Sequence, residues 1–167
     1  MAEFFHWLQN TGLATGIRQS DVWFPVIEGT HIMALALSVG LILMLDLRLL
    51  GVSFRGVPVS GVMESAMTWA LPGFVIMFAT GILLFVAQAD KAWINRYLQI
   101  KMVLLVILAS NALFYQRKYF PVMDQWERDG KIPGGARTVG LISLVLWGAV
   151  ICCGRLMAYE IDRKSVV

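Results

Sequence analysis

Four long stretches of this chain carry almost no charge, and that limits what it can fold into more than any motif does. Residues 29–45 carry no charge beyond His31, 65–89 carry none, 97–116 carry only Lys101 and 138–154 carry none. With the apolar shoulders beside Arg48 and Arg155, each approaches the roughly 20 helical residues that span about 30 Å of hydrocarbon. A chain of 167 residues that is 58% hydrophobic, 15% charged and +0.70 in mean hydropathy exceeds the apolar content of a soluble domain.

An unpaired backbone cannot cross lipid, so spans of this length read as helices, and the period-2 alternation of a barrel is absent. The expectation is an all-α integral membrane protein: one domain, residues 1–167, folded as an antiparallel four-helix bundle. Its helices are placed at about 22–50, 65–88, 96–117 and 137–159, with boundaries good to a few residues. Short links at 52–64 and 90–96 favour antiparallel neighbours, and the link at 118–137 is longer and rich in Pro and Gly.

The N-terminus lacks the basic region of a secretory signal and has Glu3 in its place. Phe4, Phe5, Trp7 and Leu8, then Leu13 and Ile17, predict a short interfacial helix over 2–18, which Gly12 and Gly16 weaken. Ser20 and Asp21 are set to cap the first long helix. Cys152 and Cys153 have no metal-ligand spacing and read as small packing residues. Met33, Met44, Met67, Met77 and Met102 are scattered rather than clustered, which argues for core filling over copper binding. Trp23, Trp69, Trp93, Tyr97 and Tyr115 fall mostly at span ends, as in an aromatic belt.

The fourteen Lys and Arg divide evenly between the two ends of such a bundle. Arg18, Lys91, Arg96, Lys101, Arg155, Arg163 and Lys164 share the end of the N-terminus; Arg48, Arg55, Arg117, Lys118, Arg128, Lys131 and Arg137 share the other. If Lys101 and Arg155 belong to a pocket, the balance places both termini outside the cytoplasm. No phosphate loop, zinc spacing or nucleophile elbow is present, and the net charge of +3 implies no nucleic-acid partner.

Alternating helix direction brings Glu28, His31, Gln88, Lys101, Arg155 and Tyr159 to one leaflet. Glu28 and His31 share a helix face at i, i+3, as do Arg155 and Tyr159 at i, i+4. Ionisable groups at membrane depth face the bundle interior and a partner by default. An imidazole with nearby cations suits haem, where a neutral imidazole ligates iron and Lys or Arg neutralises propionates; it also suits a quinone headgroup. The bland alternative is an ion pair of Glu28 with Arg155, with Lys101 and Tyr159 snorkelling to headgroups. For Arg155 and Tyr159 alone, that alternative is the stronger reading.

The segment from Glu28 through His31 and Gly40 to Arg48 resembles the first helix of the CopD-like superfamily of small bacterial membrane proteins, which includes the haem-containing membrane protoporphyrinogen oxidase. Trp69, Pro72 and Gly81 resemble that group's second helix. The run from Tyr97 to Lys101 resembles its third, whose lysine is functionally required. The patterns at 45–51 and 154–159 also resemble those of an uncharacterised bacterial family. The resemblance implies b-type haem, with His31 as axial metal ligand and Lys101 beside the cofactor, in a bacterial inner membrane; the shared leaflet adds Glu28, Arg155 and Tyr159 around the cofactor. Two departures count against the oxidase activity itself: Asn111 stands where the oxidase has a late histidine, and the first helix lacks its Tyr- and His-containing extension.

The functional expectation is a membrane haem protein in electron transfer or porphyrin-linked redox chemistry, an oxidoreductase if an enzyme at all. The alternative is a cofactor-free accessory or scaffold subunit of a larger membrane complex. Expected partners are the lipid bilayer, a membrane redox partner or larger complex, and a second copy of the chain.

Overall fold

The computed structural model describes residues 2–165, so Met1, Val166 and Val167 of the expected domain lie outside the described residues. The described residues are helical apart from short turns. In chain order they form α1 (Ala2–Gln9), α2 (Gly12–Arg18), α3 (Trp23–Leu50), α4 (Val59–Ala87), α5 (Ala89–Trp93), α6 (Arg96–Lys118), α7 (Met123–Arg128) and α8 (Gly134–Ser165), with a 3-10 turn at Phe120–Val122. Four helices, built on α3, α4, α6 and α8, are long and apolar enough to cross a membrane.

Local chemistry fixes most of the ends. Ser20 Oγ accepts from the backbone N–H of Val22 (3.3 Å) and Trp23 (3.0 Å) in the turn before α3, but the N-cap itself is Val22, without a side-chain cap, rather than the expected Ser20 or Asp21; Pro25 falls in the first turn. Gly51, at φ 72°, closes α3 in the left-handed conformation that glycine adopts without a Cβ clash. Asn95 Oδ1 takes the N–H groups of Tyr97 and Leu98 at 2.9 and 3.2 Å and opens α6.

Three boundaries differ from expectation, the simplest being that α8 runs on to Ser165, beyond 159. α4 begins at Val59, not near 65, because Pro58 pre-sets the entry and a carboxylate distant in sequence supplies the cap: Glu127 accepts from Ser60 N–H at 2.8 Å and from Ser60 Oγ at 2.7 Å. The N-terminal segment is two helices, divided where Thr11 Oγ1 caps α2 through Ala14 N–H. It folds back on the end of α4 and on α5: Phe5 stacks on Trp93 with centroids 5.0 Å apart, and Gln9 Oε1 accepts from Asp90 N–H at 3.0 Å.

α3 runs along α4, α8 runs along α6, and α3 and α8 join the two pairs. Gly73 allows the first approach, since a Cβ there would run into Ser38 Oγ; Gly140 allows the last, facing Leu49 and the Asp46 backbone. One apolar cluster (Leu45, Leu49, Met63, Tyr115, Trp126, Val139) fills the end near α7, and a second, around Val39, Leu108, Trp147 and Val150 with Phe74, fills the middle. The outside is just as apolar: Met33, Val75, Ile82, Val106 and Val145 are all more than half exposed. Of the apolar window on the helix containing α6, only 6% is buried.

Candidate functional site

The structure joins two of the six convergent residues. His31, in the third turn of α3, turns its ring onto α4, where Nδ1 lies 2.9 Å from the Met77 carbonyl and 3.1 Å from Thr80 Oγ1. Thr80 donates its own proton to the Ile76 carbonyl at 2.7 Å, so both partners of Nδ1 are acceptors. The network therefore puts the proton on Nδ1, and a neutral ring presents its Nε2 lone pair. Gly81 makes room, because a Cβ there would sit 3.1 Å from His31 Cε1. Lys101, half-buried on α6, is within electrostatic range of His31 on one side and of Cys153 on α8 on the other.

The other four lie apart from this pair. Glu28 is exposed, and the acceptor expected from it is the Met77 carbonyl on the neighbouring helix. Arg155 and Tyr159 are exposed and lie against each other, with the guanidinium 5.6 Å from the ring centroid, which is not the ion pair with Glu28 that the bland alternative gave. Gln88 ends α4, where its backbone carbonyl accepts from Lys91 and Ala92. Asn111, the position of the resembled late histidine, donates to the Val139 carbonyl at 3.1 Å and so joins α6 to α8. His6 is held at the surface by Asp90, 3.0 Å away.

The test for haem is the donor set. A ligating histidine usually donates its second ring nitrogen to a backbone carbonyl or carboxylate, which fixes both tautomer and ring plane. His31 has that arrangement, and Lys101 supplies a cation for a propionate. Among the described residues no group of three or more His, Cys, Asp or Glu is placed to hold a metal ion.

A second polar position lies outside the set read from the sequence. Asp46 on α3 is only 4% exposed; it shares a hydrogen bond with Ser143 of α8, and its Oδ2 has no partner. In the sequence, Asp46 and Arg48 differ by two positions and cannot share a helix face, so Asp46 needs a partner of its own, but that partner sits almost a hundred residues later in the chain.

The profile of DUF6644, a family of unknown function, matches residues 4–160, and the chain belongs to that family. No curated protein and no solved structure matches it.

Proposed function

We propose that this member of the DUF6644 family is an integral membrane protein, an antiparallel bundle of four spans, that binds one b-type haem through His31 Nε2 in electron transfer or porphyrin-linked redox chemistry. The observation that carries the reading is the Nδ1–H···O=C bond to Met77, which commits one ring nitrogen to the protein and frees the other. A bare metal ion would need several protein donors; a porphyrin brings four nitrogens and asks for one or two, which suits the donors at hand. The apolar exterior of the helices supports the membrane assignment.

When bound, haem would supply one-electron chemistry. The chain's part is positional: α4 orients the imidazole, Gly81 sets how closely it lies, and Lys101 balances a carboxylate that would otherwise be a buried charge. The resemblance of the Glu28–Arg48 segment and of the Tyr97–Lys101 run to the CopD-like superfamily points to His31 and Lys101 in turn, and to a bacterial inner membrane. Glu28, Arg155 and Tyr159 drop out of the proposed first contacts. A quinone headgroup is the lesser ligand here, since the neutral ring offers it an acceptor rather than a donor.

The second reading, a cofactor-free subunit of a larger membrane assembly, is favoured by the bareness of α6. An optical spectrum of detergent-purified protein, expressed with haem precursor and also titrated with hemin, separates the two. A Soret band that His31→Ala abolishes while helicity is retained is the expected result, and Lys101→Met should weaken haem retention or shift its potential. Protein without a Soret band under both conditions would reject the haem reading in favour of the subunit.

A further inference from the structure

At the end of the molecule away from His31, the α3–α4 turn, α7 and the start of α8 border an open cavity of about 990 Å³. Arg48, Arg55, Arg128, Lys131 and Arg137 line it, from four separate segments. Two carboxylates share the wall, and one of them, Glu127, is already engaged by Ser60. Among the described residues, none of the five cations forms an ion pair with a carboxylate.

Three of the guanidiniums are nonetheless held in place. Arg48 Nε donates to the Val57 carbonyl at 2.6 Å, Arg128 Nε donates to the Asp124 carbonyl at 3.0 Å, and Arg55 Nε donates to the Gly51 carbonyl. Each bond uses the nitrogen nearest the stem and leaves the terminal N–H fork for another acceptor. Forks of this kind match phosphate oxygens, and fixing them in advance lowers the entropy lost on binding. Like charges gathered around one space also repel, and an anion between them relieves that repulsion.

Position decides which kind of anion. Arg48 lies in the last turn of α3 and Arg137 in the first turn of α8, where two of the apolar helices end. Leu50, Pro58 and Ile132 give the same cavity apolar wall. We infer that this basin binds the phosphate of an acidic phospholipid, with the headgroup among the guanidiniums and the acyl chains along the apolar exterior. The inference takes the four helices as membrane spans but is independent of haem and of His31.

The test uses full-length protein in a neutral detergent, probed with dioleoylphosphatidylglycerol, with dioleoylphosphatidylcholine and with inorganic phosphate, followed by thermal unfolding and native mass spectrometry. Phosphatidylglycerol should raise the midpoint and remain bound, while phosphatidylcholine should do neither. The exposed pair Arg128→Gln and Lys131→Gln, which leaves the Ser60–Glu127 contact alone, should weaken phosphatidylglycerol binding about tenfold or more with unchanged helicity. Stabilisation by inorganic phosphate equal to that by phosphatidylglycerol would overturn the lipid as source and assign the basin to a soluble phosphate. Equal retention of both lipids, or wild-type affinity in the double variant, would overturn the anion site altogether.

Discussion

Asp46 carries the least satisfied charge-bearing side chain described here: 4% exposed, one oxygen on Ser143 and the other without a partner. Burying a carboxylate is repaid only when all its lone pairs find donors, and here half of them do not. Asp46→Asn retains an oxygen for Ser143 and removes the ionisable group, so its thermal midpoint in detergent should equal or exceed that of the wild type. A loss of about 2 kcal/mol or more would mean that the second oxygen is ligated in the folded protein. Gly81 poses the opposite problem. Alanine there gains about 0.5–1 kcal/mol of helix propensity but puts a Cβ 3.1 Å from His31 Cε1, so the ring must move by a few tenths of an ångström. Stability should stay within about 1 kcal/mol while haem affinity falls about tenfold, through the ring position and not the fold. Unfolding curves and hemin titrations of the same preparation would show whether the two quantities separate. If affinity is unchanged, the imidazole plane is not what Gly81 sets.

At the scale of elements, the spans were legible because absence of charge over a long run is a local property. Starts and partners were not, because they are supplied across the chain. The cap of α4 is the clearest case: sequence placed the start near 65, and Glu127, 67 positions from Ser60, extends the helix back to Val59. The partner of His31 was equally hidden, since a backbone carbonyl on another helix has no residue signature. The i, i+3 spacing pointed to Glu28 as the partner on the same helix, but the imidazole reaches the next helix instead. Glu127→Ala should remove the cap and cost about 1–2 kcal/mol, with faster amide exchange confined to the first turn of α4. Protection there equal to wild type would show that Pro58 and the surrounding packing suffice to start the helix.

Across the whole molecule, charge is nearly balanced in number and unequal in arrangement. The even division of Lys and Arg tilts only if pocket residues are set aside, and the structure removes one of the two reasons for doing so. Lys101 is half-buried beside His31, but Arg155 is exposed and stacked on Tyr159, which returns it to the count for the N-terminal end. What distinguishes the two ends is clustering. Five cations of the other end meet in one basin close to helix termini, within the short segments whose charge resists translocation. The N-terminal end spreads its cations, from Arg18 on α2 to Lys91 on α5 and Arg96 at the start of α6. On that argument the basin is expected to face the cytoplasm, where acidic lipids give the surface a negative potential, with both termini expected outside. A C-terminal alkaline phosphatase fusion should be active and a C-terminal fluorescent protein dark. Replacing Arg55, Arg128 and Lys131 by Gln should then produce a mixed population, because the remaining cations no longer favour one orientation. The reverse pattern, with a fluorescent C-terminus, would show that the dispersed charges on α2, α5 and α6 outweigh the cluster and would place His31 nearer the cytoplasmic face.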